Sequence, residues 1–190
     1  EGMIIALARE VQVEVGDPGC KVNLLVAFES EPGDFISSLN DDRSYLFDSM
    51  SVPDRQRLAE STNAVTTWSH IETKSAHGSR PNSTLGDSGL YDLRIGRLAS
   101  SPALRKYTNS SIEKTTRQEI NANFITIDLE QIDGKTMEQL ADYVAMLALA
   151  QIDVADPIDA GNTILNLFHD PAGAPSGLTN WDVAYVRSLY

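Results

Sequence analysis

The feature that most constrains the fold is the segment over residues 136–151, which is long, mostly apolar and helical in its periodicity. Thr136 and Gln139 have the spacing of a capping box, which predicts that a helix begins there. Apolar or small residues then occupy most sides of the helix: Leu140, Ala141, Val144, Met146, Leu147, Ala148 and Leu149. A helix of this kind usually runs through the interior of a domain. We therefore predict a buried central helix over about residues 136–151.

Asp142 is the one charged residue in the central turns of this helix, and two interpretations of it are open. In the first, which we favour, Asp142 lies on a narrow solvated strip with Glu138 one turn earlier. In the second, Asp142 lies in a cleft and works with Glu138, or with the carboxylates of Asp128 and Glu130. Paired carboxylates can serve acid–base chemistry when burial raises the pKa of one of them.

The bulk properties exclude two classes of partner. The chain has 190 residues, 42% of them apolar, which is enough for one soluble domain with a substantial core. Its net charge is −12, so nucleic acid and anionic membrane surfaces are poor partners. No apolar run approaches the ~20 residues that span a bilayer. The segment that begins at Met3 lacks the features of a signal peptide, so we expect none in this numbering.

The remaining pattern predicts one α+β domain over residues 1–190, with a small mixed sheet packed on the central helix and a C-terminal helix. We predict strands over residues 23–28, 64–73, 93–98 and 123–129, and helices over about 3–13, after Pro32, at 45–47, over 51–61 and over 179–190. The 23–28 strand is continuously apolar, which favours a buried strand. Residues 74–92 are polar and rich in turn residues, and predict a long loop that is either functional or poorly ordered.

The C-terminal helix has its own start signal. Thr179 and Asp182 have the spacing of an N-terminal cap. The periodicity then predicts a buried stripe formed by Trp181, Ala184, Tyr185 and Leu189.

The nucleophiles and histidines predict no catalytic or metal site. Ser88 follows Gly86-Asp87, but no core strand precedes it and no Asp-x-x-His occurs in the chain, so we interpret this segment as an exposed turn. His70, His77 and His169 have no histidine or cysteine at ligand spacing, and we expect His70 to be a packed or edge residue of its strand. We predict no catalytic residue, no cofactor and no metal.

Cys20 is the only cysteine, so an internal disulfide is impossible. Because it precedes a predicted core strand, we expect a buried, unreactive thiol.

Residues 141–151 are similar in spacing to the active-site helix of metzincin-type zinc peptidases, H-E-x-x-H-x-x-G-x-x-H. The three histidine positions of that motif fall on Ala141, Ala145 and Gln151. The catalytic glutamate position falls on Asp142, and the glycine position on Ala148. Residues 163–168 stand where those enzymes carry their methionine turn, and residues 178–190 resemble the last helix of matrixin-like catalytic domains.

Over most of its length the chain resembles a family of exported bacterial proteins, of unassigned activity, that has a zincin-like fold and a degenerate zinc motif. Residues 19–28 and 141–146 carry this resemblance. It implies a periplasmic or extracellular location, and it allows Cys20 to pair with a cysteine upstream of the printed sequence. The alternative is that residues 136–151 form an ordinary core helix and that the match in spacing is a coincidence.

The departures from the zinc motif decide the chemistry that the resemblance implies. Alanine offers zinc no donor atom, and the carboxamide of Gln151 is a weak ligand. Without zinc, nothing lowers the pKa of the attacking water from ~15.7 to ~7. We therefore expect a non-catalytic zincin-like domain, a pseudo-metallopeptidase, that binds a protein, peptide or glycan through the 74–92 loop or a cleft at Glu138, Asp142 and Gln151. The alternative is a hydrolase with a carboxylate site around Asp142.

Overall fold

The structure, a computed structural model, describes residues 2–17, 19–75, 116–150, 152 and 161–190. Its helices and strands are, in chain order, α1 (Gly2–Glu10), β1 (Leu24–Glu29), α2 (Pro32–Asp42), α3 (Val52–Ala59), β2 (Val65–Ser75), β3 (Thr116–Asp128), α4 (Met137–Ala150) and α5 (Asn180–Leu189), with short 3-10 helices at Ser44–Phe47, Leu129–Gln131 and Ile164–Phe168. Among the described residues, no helix has both the length and the apolar character needed to cross a membrane. The predicted 93–98 strand and residues 76–92 of the predicted loop lie outside the described residues.

The chain divides into two compact units, residues 1–70 with 122–190 and residues 71–121. In the second unit, the described residues belong to the outer parts of β2 and β3. There the Lys74 ammonium pairs with the Glu119 carboxylate, and Arg117 pairs with the same carboxylate. These two cations hold the pKa of Glu119 below its usual range, chiefly through the hydrogen bond from Lys74.

The sheet has the strand order β1-β3-β2. β1 and β3 are parallel, with Leu24 opposite Asn123. β2 is antiparallel to β3, as two hydrogen bonds show. The Asp128 N–H donates to the Ala64 carbonyl (2.9 Å), and the Ser69 hydroxyl donates to the Asn123 side chain (2.7 Å). The predicted α+β class with a small mixed sheet is therefore confirmed.

β3 is the central strand, and it supplies side chains to both faces of the sheet. Ile125 and Ile127 belong to a core cluster that contains residues of α1, α4 and α5. Phe124, which precedes them in sequence, belongs to a second cluster with Ile36, Phe47 and Trp68. The Trp68 ring stacks on the Phe124 ring at 4.9 Å between centroids and on the Phe47 ring at 5.5 Å. Helices therefore cover the sheet on both sides, α4 on one and α2 with α3 on the other.

α4 confirms the predicted central helix. The Thr136 hydroxyl accepts from the Gln139 N–H, and the Gln139 side chain accepts from the Thr136 N–H, both at 3.1 Å, which is the predicted capping box. Every residue from Leu140 to Leu147 except Ala141 is buried. Packing on several sides, rather than on one stripe, explains why nearly every position is apolar or small.

Two other helices are shorter than predicted. The helix predicted over 3–13 ends at Glu10, since Gln12 has the left-handed conformation (φ 63°) and the Val13 N–H closes back onto the Ala8 carbonyl at 2.8 Å. The helix predicted over 51–61 ends at Ala59, while its predicted start is confirmed by the Ser51 cap on Asp54.

α5 begins with the predicted cap, but it buries a different face from the predicted stripe. Thr179 and Asp182 form a reciprocal capping box. Trp181 is 46% exposed and Leu189 is 48% exposed, whereas Asp182 and Val186 are fully buried. The reason is that the Asp182 carboxylate also accepts from the Thr163 hydroxyl and from the Ile164 N–H (3.1 Å), which turns this side of α5 inward. Val186 follows one turn later on the same side.

β1 forms where it was predicted, but the prediction that it is a buried strand was wrong. Leu25 and Phe28 are each 41% exposed, because β1 is an outer strand of the described sheet. The expectation that Cys20 is buried was also wrong. Its thiol is exposed, since Cys20 lies in a turn closed by its N–H on the Asp17 carbonyl (3.0 Å), before β1 begins.

Candidate functional site

Two of the three positions that the resemblance assigns to zinc ligands lie on α4 in apolar surroundings. Ala145 is fully buried in the core cluster, and Ala141 lines an apolar cavity between α4 and β1. Gln151 lies outside the described residues. Within the part of the chain that the structure describes, no group of three or more histidine, cysteine or acidic side chains is placed to hold a metal ion.

Asp142 does not lie on a solvated strip, so the interpretation that we favoured from the sequence was wrong. Its side chain is only 9% exposed, and its Oδ2 accepts from the Leu178 N–H at 2.9 Å. The chain approaches so closely here that a Cβ on Gly177 would lie 2.8 Å from the same oxygen. Asp142 thus attaches α4 to the segment that leads into α5, a contact that its sequence position alone does not predict.

The electrostatics of Asp142 oppose its ionisation. Burial raises the pKa of this carboxyl, the Leu178 N–H lowers it, and the negative charges of Glu138 and Asp182 raise it further. Glu138 itself is exposed, one turn earlier on α4. Two of the candidate cleft residues, Glu138 and Asp142, lie on successive turns of α4. One oxygen of the Asp142 carboxylate already accepts a hydrogen bond from a backbone N–H.

The carboxylates of Asp128 and Glu130 lie apart from that contact. Asp128 Oδ1 accepts from the Glu130 N–H and Oδ2 accepts from the Gln131 amide, both at 2.8 Å, so Asp128 caps the 3-10 helix after β3. The side chain of Glu130 is exposed. No hydrogen bond between described residues joins either carboxylate to Asp142, although this pairing is one of the two that the hydrolase interpretation allows.

An apolar cavity of about 330 Å³ lies between α1, β1 and α4. We call it the α1–β1 groove, and all its lining residues are apolar: Ile4, Leu24, Val26, Phe28, Met137, Leu140, Ala141 and Val144. Phe28 is 41% exposed and Met137 is 71% exposed, so solvent reaches the groove at these two residues. Apolar surface exposed along a concave feature is typical of a binding site.

Two smaller cavities are more polar. One of about 210 Å³ is lined by Thr67, Ser69 and Asn123 over Leu147, and the Ser69–Asn123 hydrogen bond uses part of that polar surface. The other, of about 180 Å³, contains Tyr143, whose hydroxyl has a pKa raised by burial. In the hydrogen bonds of the described residues, no hydroxyl of either cavity is joined to a histidine or a carboxylate that would activate it.

The histidines and the serine have separate outcomes. His70 is buried in its strand and meets the Tyr45 ring edge-on at 6.2 Å, so the expectation of a packed residue is confirmed. His169 is exposed and lines the 180 Å³ cavity. His77 and Ser88 lie outside the described residues.

Sequence reasoning missed two features, the α1–β1 groove and the Asp182 network. The groove depends on β1 being an outer strand, and a continuous apolar run does not distinguish an outer strand from a central one. For Asp182, the Thr179 spacing was recognised only as a cap. A further signal was Thr163, because a buried aspartate commonly needs several donors.

No known family model matches the chain, and neither a curated protein nor a solved structure matches it. The resemblance to zincin-like proteins therefore stays a prediction.

Proposed function

We propose that this chain is a non-catalytic, zincin-like binding domain whose ligand is a polypeptide. The observation that carries the proposal is the α1–β1 groove, an exposed apolar concavity next to an outer β-strand. Alanine at positions 141 and 145 is consistent with a zinc motif that has lost its ligands, because alanine has no donor atom for zinc. Ala141 lines the groove, and Ala145 packs in the core.

The chemistry of the groove favours a polypeptide over a glycan or a nucleic acid. Its eight lining side chains are all apolar, so only backbone groups could form strong hydrogen bonds with sugar hydroxyls there. The net charge of −12 repels a polyanion. Apolar side chains of an extended segment would instead find a matching surface. The resemblance adds the proposal that this binding takes place outside the cytoplasm, in the periplasm or beyond the cell.

A hydrolase centred on Asp142 is the less favoured function. It requires the carboxylate to exchange its Leu178 N–H for a substrate or water. The single backbone contact and the raised pKa are equally well explained by a structural attachment of α5.

The proposal is tested by selecting random peptides on the purified protein and measuring their affinity by fluorescence anisotropy. Ala141→Leu places a larger side chain in the groove at little cost in helix propensity, so we expect it to weaken the selected peptides about tenfold or more. Ala184→Leu is the matched control, because Ala184 is exposed on α5. This control should bind with unchanged affinity.

Two further measurements separate binding from catalysis. Mass spectrometry of the peptides after incubation should show intact chains, and elemental analysis of dialysed protein should find no stoichiometric zinc. Cleaved peptides, or one zinc per chain lost in Gln151→Ala, would contradict the non-catalytic proposal. Peptides that bind Ala141→Leu as well as the unmodified protein would show that the groove is not their site.

A further inference from the structure

We propose that the ligand of the α1–β1 groove binds as an added β-strand along β1, with a basic residue at the end that lies beside Glu29 and Glu138. This inference rests on the proposed function and specifies its ligand: an extended peptide segment with apolar side chains at alternate positions and lysine or arginine at one end. It depends on the backbone of β1, on the side chains of the same strand and on the acidic residues at the end of β1 and the start of α4.

One edge of β1 is not paired with any described strand. In the described sheet, β1 is hydrogen-bonded only to β3. The Asn23 carbonyl accepts from the Asn123 N–H at 2.8 Å, so the backbone groups of residue 23 point toward β3. Backbone groups alternate in direction along a strand, and those of residues 25, 27 and 29 therefore point the same way. Those of Leu24, Val26 and Phe28 point to the opposite edge of β1, where no described backbone group pairs with them; we call this the open edge.

The same three residues of β1 also line the groove. Leu24, Val26 and Phe28 contribute their side chains to the α1–β1 groove and their N–H and C=O groups to its open edge. A strand added at this edge continues the sheet, so its alternate side chains lie on the groove side next to those of β1. Backbone bonds would give affinity, and the apolar groove would select the alternate side chains.

Acidic residues lie at the end of β1 and the start of α4. β1 is parallel to β3, with Glu29 opposite Asp128, and only residues 129–136 separate the end of β3 from the start of α4. The end of β1 and the start of α4 therefore lie at the same end of the sheet. Glu29 follows the lining residue Phe28 there, with its side chain on the opposite face of the sheet, and the exposed Glu138 follows the lining residue Met137. A cation on the ligand is favoured at this end.

The charge also distinguishes this ligand from a second copy of the chain. Each copy carries a net charge of −12, so two copies repel each other as they approach. A segment with lysine or arginine has the complementary charge. A second copy is therefore an outcome to be tested rather than the ligand that we propose.

The test uses short fluorescein-labelled peptides in which valine alternates with threonine, with two lysines at either the amino or the carboxyl end. One of the two should bind more tightly, and it identifies the strand direction. That peptide is then methylated on the backbone nitrogen of all valines or of all threonines. Since alternate N–H groups point to opposite edges, one methylated form should lose tenfold or more in affinity and the other should keep most of it.

Two variants of the protein provide independent readouts. Val26→Pro removes an N–H that points to the open edge, where proline is tolerated, and should weaken the peptide about tenfold. Glu138→Lys should weaken the lysine peptide and strengthen one with glutamates in place of the lysines. Glu60→Lys, at an exposed acid at the end of α3, is the matched control and should change neither affinity.

The outcomes separate this inference from the proposed function. If both methylated peptides bind equally while Ala141→Leu still blocks them, the groove binds peptides but strand addition is wrong. If no peptide of the series binds, the inference is overturned, and the selected random peptides decide the proposed function separately. Sedimentation that shows a dimer dissociated by Val26→Pro would make the occupant a second copy. The methylated peptides decide the matter even if Val26→Pro does not fold.

Discussion

Asp142 and Asp182 are buried carboxylates in different situations. Asp182 accepts from the Ile164 and Thr179 backbone N–H groups at 3.1 and 2.9 Å, and also from hydroxyl groups. Asp142 has one backbone donor, the Leu178 N–H, and the negative charges of Asp182 and Glu138 act on it. A buried carboxylate with so little compensation costs stability when it is ionised.

We expect Asp142→Asn to be at least as stable as the unmodified protein at pH 7. The carboxamide oxygen of the new side chain can still accept from the Leu178 N–H, while the cost of burying a charge disappears. The pH dependence follows from the raised pKa of Asp142. Between the ordinary carboxyl pKa and the raised value, the native state binds more protons than the unfolded state, so stability falls as pH rises through that window. The advantage of Asp142→Asn should therefore shrink as pH is lowered.

Urea unfolding of both proteins at a series of pH values checks this. Asp142→Ala is the comparison variant, because it leaves the Leu178 N–H without its acceptor and should cost ~1–3 kcal/mol. An Asp142→Asn protein that is as unstable as Asp142→Ala at every pH would show that the ionised carboxylate is needed, contrary to our expectation.

The helices show which parts of an element the sequence predicts. The starts of α3, α4 and α5 were predicted because each cap is formed by side chains only three residues away from the residue it caps. The buried face of α5 was not, since it depends on Thr163 and Ile164, which are distant in sequence. The burial of Asp142 could not be predicted for the same reason, as its donor is 36 residues away.

At the scale of α4, the small residues should differ in their tolerance of larger ones. Ala145 has no exposed surface, whereas Ala148 is only half-buried. Ala145→Leu should therefore overpack the core and cost ~1–3 kcal/mol, and Ala148→Leu should cost less. Chemical denaturation of both variants measures the difference. Equal stability of Ala145→Leu and the unmodified protein would show that α4 is not packed as closely as the structure indicates.

For the whole molecule, the α+β class was predictable and the arrangement of the sheet was not. Strand positions follow from local apolar runs, but the order β1-β3-β2 depends on contacts between residues about 100 positions apart, such as Leu24 with Asn123. That order makes β1 an outer strand and so creates the α1–β1 groove. The candidate binding site is therefore a property of the sheet arrangement, which no motif in the sequence records.

β3 also joins the two hydrophobic clusters, because Phe124 packs on one face of the sheet and Ile125 on the other. Loss of β3 would expose both clusters together, so we expect them to unfold in one transition. The two tryptophans report separately on this. Trp68 is 6% exposed in the cluster with Phe124, and Trp181 is 46% exposed on α5.

The prediction is tested with two single-tryptophan variants, Trp181→Phe and Trp68→Phe. In each, tryptophan fluorescence and far-UV circular dichroism should give the same urea midpoint, because the reporter's surroundings and the helices are lost together. Acrylamide should quench Trp181 more strongly than Trp68 in the native state, as their exposed fractions differ. If Trp68 fluorescence changed at a lower urea concentration than the circular dichroism of the same variant, the cluster around Phe124 would unfold independently, and β3 would not couple the two faces of the sheet.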